Sequence, residues 1–165
     1  METVRKHSLA AHRRSAAALN GNDSAVIIPL RGKSLLIELQ YRPKINKYIL
    51  ELPAGHIEPG EKPEHAAERE LEEETGYSAS NMKYIARAYS SPGNLSEMLY
   101  FYLATGLRKG KPRREPGEKI SIKWVSLSKA VTMIRQGKIV DAKTIAGILF
   151  FGAFCAGLKA RCIKH

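Results

Sequence analysis

Short runs of branched apolar residues recur along the chain and predict β-strands. Two of these runs, residues 24–30 and 34–41, flank a turn that contains Gly32, so they predict a β-hairpin. Residues 48–55 predict a short strand that ends in a turn. Three further strands are predicted at residues 82–90, 97–105 and 120–126.

From Pro63 the pattern becomes helical. Pro63 stands at a first-turn position where proline is tolerated, good helix formers follow without interruption, and Gly76 stands where a C-terminal cap is expected. Two more helices are predicted near the end of the chain, one over residues 127–136 and one that begins near Asp141. Strands and helices without internal repeats predict one α/β domain over residues 24–165, preceded by an N-terminal arm over residues 1–23.

The amino-acid composition near each end of the chain bears on the cellular location of the protein. Residues 1–20 are rich in Arg, Ser and Ala, which would suit a transit peptide, but they lack the apolar stretch of a secretory signal, and we predict a loosely docked arm. The fifteen uncharged residues 144–158 fall short of the roughly 20 that span a bilayer, so they predict a buried or subunit-interface helix and no membrane contact. Cys155 and Cys162 lack disulfide-framework and zinc-ligand spacing, which indicates packing residues in a reducing, cytoplasmic compartment.

Charge is distributed unevenly. The chain of 165 residues has a net charge of +11, yet eight of its sixteen acidic residues lie between Gly55 and Tyr77 beside only two bases, Lys62 and Arg69. That segment carries −6 and the remainder carries +17, which would suit nucleic acid, an anionic small substrate or solubility alone. The densest basic stretch, residues 107–119, has no interleaved aromatic residues to stack bases. It therefore predicts a solvated loop, and nucleic acid is not the expected partner.

The predicted acidic helix gathers carboxylates on one face. At 100° per residue, Glu70, Glu73 and Glu74 share an arc of about 100° and Glu72 points away. Like charges at this spacing repel, so a cation must compensate. Mg²⁺, which prefers oxygen ligands, is one candidate, and a solvated acidic face paired with lysines is the other. The helix alone does not decide between them.

The spacing around this helix is similar to the fixed pattern of Nudix hydrolases. The matching positions, at the offsets of that pattern, are Gly55, Glu61, Arg69, Glu70, Leu71, Glu73, Glu74, Gly76 and Tyr77. The resemblance implies the family's α/β/α sandwich, in which this box, residues 55–77, forms a loop-helix-loop on a mixed β-sheet. It also implies metal-dependent cleavage of a nucleoside diphosphate linked to another moiety.

A narrower resemblance, covering roughly residues 24–149, is to the ADP-ribose pyrophosphatase branch of that family. It rests on residues 40–42 (QYR), 51–61 (ELPAGHIEPGE), 91–97 (SPGNLSE) and 141–144 (DAKT). Pro92 lies sixteen residues past Gly76, where that branch carries its marker proline. The chain departs at the N-terminus, which is shorter than the segment that usually helps to form a swapped dimer and the adenine site.

The resemblance implies a metal-binding set. Glu70 and Glu74 correspond to the principal ligands, joined by the backbone carbonyl of Ala54, and Glu73 binds metal or accepts a proton. Mg²⁺ is the expected cofactor and Mn²⁺ the alternative. Arg69 is expected to pair with the box carboxylates and Glu61 to orient the loop. Gly55 is expected to permit close approach at the turn before the helix. Gly76 is expected to cap the end of the helix in the left-handed conformation.

Further roles concern the substrate and the proton acceptor. Arg42 is expected to meet a substrate phosphate, with Pro92 in the substrate-binding loop. Glu97 resembles the loop glutamate that acts as general base in this branch, and a loop residue could stay away from the metals until substrate binds. His56 and His65 are expected at the surface rather than among the ligands.

The function expected from the resemblance is hydrolysis of ADP-ribose to AMP and ribose 5-phosphate by a homodimer. Two alternatives stay open. One is the same chemistry on another nucleoside diphosphate sugar or on a capped RNA end. The other, of a different class, is a Nudix fold that senses a ligand or RNA without turnover. The complete set of Arg69, Glu70, Glu73 and Glu74 disfavours a pure sensor, which would not need it.

Overall fold

A computed structural model describes residues 22–114, 117 and 119–162, with side chains described as far as residue 153. Most of the predicted arm and the side chains of Cys155 and Cys162 lie outside this part. The strands are β1 (Ser24–Arg31), β2 (Ser34–Arg42), β3 (Lys47–Glu51), β4 (Ala54–His56), β5 (Tyr77–Tyr89), β6 (Met98–Lys109) and β7 (Ile120–Ser126). The helices are α1 (Pro63–Glu70), followed by a π-helical turn (Leu71–Thr75), α2 (Leu127–Arg135) and α3 (Ala142–Cys162), with a short 3₁₀ turn at Pro43–Ile45.

The seven strands form one mixed sheet. The order β3-β2-β1-β6-β5 is continuous, while β4 pairs with β1 and β7 pairs with β2. Strands β1 and β6 run parallel, with Ser24 opposite Leu99, and the other pairs are antiparallel. On β1, Ser24 also lies opposite His56 of β4. The N-terminal end of β1 is therefore the place where three strands meet.

Helices cover both faces of this sheet, which confirms the predicted α/β/α sandwich. Alternate residues of β1 point to opposite sides. Ala25 and Ile27 join the cluster that contains α1, and Val26 and Ile28 join the cluster that contains α2 and α3. Because both faces are buried, β1 is a continuous apolar run rather than an alternating one.

The apolar part of α3 packs largely within the chain itself. Ile148 and Phe151 are buried in the core, and a Cβ added at Gly147 would approach Leu52 to 2.7 Å. Leu149 is 50% exposed. The apolar segment thus needs less cover from a second subunit than its composition indicates, and the homodimer stays a prediction. Within the described residues, no helix is both long enough and apolar enough to cross a membrane.

Two strands extend further than predicted. β5 begins at Tyr77, where a polar stretch pairs with the end of β6, and Tyr77 lies opposite Lys109. Edge pairing through the backbone needs no apolar alternation, so the sequence pattern missed this extension. Residues 107–109 consequently belong to β6 and not to the loop predicted over residues 107–119.

The acidic helix ends in a wider turn than predicted. Its regular part ends at Glu70, the next five residues form the π-helical turn, and Gly76 caps it with φ +75°. The Thr75 hydroxyl donates to the Leu71 carbonyl at 2.5 Å. The count at 100° per residue therefore holds only as far as Glu70, and the turn presents Glu74 towards β4. Single π turns within helices frequently occur at functional sites.

Candidate metal and substrate site

One guanidinium group organises the acidic box. Arg69 donates to both carboxylate oxygens of Glu61 at 3.1 and 3.0 Å, and its Nη1 donates to Glu70 at 2.6 Å and to Glu73 at 3.3 Å. Its Nη2 also donates to the carbonyl of His56 at 2.9 Å, which attaches the helix to the end of β4. Five donors in a planar fork suit this shared role, which a lysine would not fill.

These contacts shift the pKa values of Arg69 and Glu61. The hydrogen bond with Glu61 raises the pKa of Arg69, burial opposes this, and Glu70 adds to the rise. The same hydrogen bond holds the pKa of Glu61 below its usual value. Arg69 and Glu61 therefore remain charged near neutral pH.

The Glu70 carboxylate lies directly against the backbone of β4. A Cβ built on Gly55 would stand 2.0 Å from the Glu70 carboxyl carbon and 2.1 Å from its Oε1. No other residue type leaves that space, so Gly55 is required by close approach, with no positive φ involved.

Glu74 lies beside Glu70 and is held by the same strand, β4. Its side chain is 4% exposed, and its Oε2 accepts the Ala54 N–H at 2.9 Å. A buried carboxylate in contact with a backbone donor is costly unless its charge is compensated. Glu70 lies against Gly55 and Glu74 against Ala54, so the two carboxylates converge on consecutive residues of β4.

The basic segment after β6 binds the C-terminal end of the acidic helix. Arg113 donates its N–H to the Glu73 carbonyl at 2.9 Å, and Arg114 Nε donates to the Glu74 carbonyl at 2.9 Å. Gly76 offers its carbonyl to Gly110 at 2.6 Å. Cations and N–H donors are favourable where a helix ends in unpaired carbonyls. Residues 110–113 are exposed, as predicted for a solvated loop, and these hydrogen bonds also attach the segment to the end of the helix.

A cleft of about 560 Å³ opens beside Ala54 and Gly55. At one side Arg42 donates from Nε and Nη2 to the two oxygens of Glu51 at 2.6 and 2.7 Å. Glu51, 1% exposed, also accepts from Lys143 at the start of α3. One buried carboxylate therefore holds two cations at the cleft.

The balance of charges around Glu51 favours its ionised form. Burial alone would raise the pKa of Glu51, but the hydrogen bond from Arg42 and the charge of Lys143 outweigh it and hold the pKa below its usual value. The same pairing raises the pKa of Arg42, against the opposing effect of burial. Asp141 completes the arrangement, since it accepts from Lys143 at 3.0 Å and from the Thr144 N–H at 3.0 Å.

The other predicted residues fall in different places. Glu97 lines the cleft just before β6, and Oε1 of its carboxylate accepts from Ser24 at 2.8 Å. His56 is exposed and lines the same cleft, whereas His65 is exposed on α1. Pro92 is exposed in the turn after β5 and is not among the described residues that line the cleft.

Glu51 and Lys143 lie in segments that carry the family resemblance, but the sequence pattern predicts no role for either residue. A carboxylate between two leucines, Leu50 and Leu52, was the available signal for Glu51. Nothing in the sequence pairs it with a lysine 92 residues away. Ser24 was read only as the start of a strand.

The carboxylates fit a hard divalent cation by their chemistry. Glu70, Glu73 and Glu74 supply oxygens only, and the close approach at Gly55 holds Glu70 next to the Ala54 backbone. Arg69 and the Ala54 N–H are among their partners, and no three acidic, imidazole or thiol side chains of the described residues are grouped as a metal site. A metal bound at this place would share these carboxylates with the two donors, which engage one oxygen of each carboxylate.

Known proteins share this architecture. Residues 21–147 match the family profile described as the NUDIX domain. The ADP-ribose pyrophosphatase of Bacillus subtilis (strain 168) is 34% identical over 142 residues, which cover 85% of this chain and 76% of that protein. The methanol dehydrogenase activator of Bacillus methanolicus is 34% identical over 132 residues, covering 79% and 71%. The crystal structure of an ADP compounds hydrolase aligns with a TM-score of 0.76 at 20% identity, covers 82% of this chain and 74% of that one, and supports the fold alone.

We predict that Gly55→Ala weakens Mg²⁺ binding by roughly 10- to 100-fold, the range seen when groups that orient metal ligands are changed. The added methyl group would displace the Glu70 carboxylate. Gly152→Ala on α3 is the matched control, because nothing lies within 4 Å of its new Cβ. Calorimetric titration of both variants measures the effect, and equal Mg²⁺ affinities would contradict it.

We predict that Glu51→Gln lowers the free energy of unfolding at pH 7 by about 1–3 kcal/mol, since it removes a charged acceptor from two cations. The depressed pKa of Glu51 means that its contribution is present above the unfolded value of about 4.5 and is lost as pH falls through the lower folded value. Stability of the variant should therefore depend less on pH between about 5 and 3. Urea unfolding across this range measures it, with the exposed Glu68→Gln as the matched control. Parallel pH profiles for wild type and Glu51→Gln would count against this account.

Proposed function

Because the chain belongs to the Nudix family and is a Nudix pyrophosphohydrolase, we propose that it hydrolyses ADP-ribose to AMP and ribose 5-phosphate with a bound divalent metal. The observation that carries the proposal is the convergence of Glu70 and Glu74 on the backbone of Ala54 and Gly55, at the edge of the cleft. A relative that acts on ADP-ribose supports the choice of substrate.

The metal would be held by Glu70, Glu74 and Glu73, with the Ala54 carbonyl. When bound, it would neutralise charge on the pyrophosphate and lower the pKa of a coordinated water. Mg²⁺ suits these oxygen ligands, and Mn²⁺ is the alternative.

Residues of the chain would orient the substrate in the cleft. Glu51 engages Nε and Nη2 of Arg42 and fixes the plane of the guanidinium, which leaves Nη1 outside this two-point contact. A guanidinium fixed in this way binds phosphate oxygens with little loss of side-chain entropy. Lys143 adds a second cation on the same side of the cleft.

Glu97 would accept the proton of the attacking water. It lines the cleft together with Ala54 and Gly55, and it lies on a different element from the metal-binding carboxylates. A carboxylate engaged by metal is a poor proton acceptor, so a base on a separate element keeps its lone pairs available. The homodimer and the cytoplasmic location remain predictions beside this mechanism.

The substrate assignment predicts that ADP-ribose is turned over faster than other compounds of a panel containing ADP-glucose, GDP-mannose and a capped RNA, each with Mg²⁺. Chromatography should identify AMP and ribose 5-phosphate as the products. Glu74→Gln should abolish turnover, whereas Glu68→Gln, exposed on the same helix, should keep it.

Faster hydrolysis of another sugar nucleotide or of capped RNA would show that ADP-ribose is not the preferred substrate, and the assignment of the site residues would stand. Binding of ADP-ribose without hydrolysis of any compound would favour a sensor. Full activity of Glu74→Gln would contradict the site itself.

A further inference from the structure

Ser24 occupies the point where three strands meet beside the cleft. It is the first residue of β1, lies opposite His56 of β4 and Leu99 of β6, and is only 5% exposed. Buried hydroxyl groups are normally hydrogen-bonded, so its orientation is set by its neighbours.

The hydroxyl of Ser24 can donate one hydrogen bond, and the Glu97 carboxylate accepts it. Ser24 Oγ lies 2.8 Å from Glu97 Oε1 and 3.4 Å from His56 Nδ1. With its proton directed to the carboxylate, the serine oxygen can accept from His56 in the tautomer that carries a proton on Nδ1. The three side chains therefore form a short chain of hydrogen bonds that ends on Glu97.

The backbone on either side of Glu97 is also held. The Ser90 N–H donates to the Glu97 carbonyl at 3.1 Å, and the Met98 N–H donates to Asp23 Oδ1 at 3.0 Å. Glu97 is thus attached at a strand end rather than carried on a free loop. The remaining freedom is in its side-chain torsions, which the Ser24 contact restricts.

We propose that Ser24 is a positioning residue that orients the Glu97 carboxylate towards the attacking water. The serine holds Oε1, which leaves Oε2 as the oxygen that can take the proton. This inference rests on the proposed function, in which Glu97 is the general base. Positioning matters to rate because a small displacement of a proton acceptor slows proton transfer without weakening substrate binding.

A double-mutant cycle tests this coupling in the full chain at saturating Mg²⁺. Ser24→Ala should lower kcat about tenfold with KM nearly unchanged, and Glu97→Gln should lower kcat by roughly 10²–10⁴-fold. Because the serine acts only through Glu97, the double variant should be no slower than Glu97→Gln alone. Ser34→Ala, at the equivalent first position of β2, is the matched control and should keep the wild-type kcat.

Melting temperatures check that each variant folds. Should Ser24→Ala fold poorly, Ser24→Cys, similar in size but a weak donor, provides the second measurement and should also lower kcat. Multiplicative losses in the double variant would mean that Ser24 acts on general structure, and an unchanged kcat in folded Ser24→Ala would show no positioning. Either result overturns the inference while leaving Glu97 as base. An active Glu97→Gln would instead overturn the base assignment, and the inference with it.

Discussion

The repulsion between the clustered carboxylates of the box is the constraint on which this site depends, and the Arg69 guanidinium offsets it. By binding Glu61, Glu70 and Glu73 at once, the arginine holds three carboxylates close together. Its contact with the His56 carbonyl fixes the helix to the sheet. The arrangement concentrates negative charge at one place in a chain that is otherwise strongly basic. A divalent cation requires such a group of carboxylates as its ligands.

The fold supports this cluster from two directions. On one side, β4 approaches so closely that only glycine fits against Glu70. On the other side, the basic segment after β6 binds the carbonyls of Glu73 and Glu74, where the helix ends. A buried sheet with helices on both faces keeps these two supports at a fixed separation. The same sheet brings Arg42 and Glu97 to the cleft from separate strand ends.

The sequence predicted the order of elements because burial on both faces makes the central strands apolar and because Pro63 and Gly76 mark the helix ends. The family pattern supplied the site residues. The docking of the basic segment and the extension of β5 were not predicted, since the first depends on hydrogen bonds to backbone carbonyls and the second on backbone pairing between strands, and neither leaves a pattern in the sequence. Likewise, Glu51 with Lys143 and Ser24 with Glu97 are brought together by contacts between residues far apart in sequence.

Binding of Mn²⁺, followed by electron paramagnetic resonance, tests directly whether the cluster held by Arg69 is a site for a divalent cation. We expect that the wild-type chain binds Mn²⁺, that Mg²⁺ displaces it, and that a variant with both Glu70→Gln and Glu74→Gln loses this binding. A variant with Glu64→Gln and Glu68→Gln, exposed on the same helix, should retain it. Equal Mn²⁺ binding by the two double variants would contradict the account.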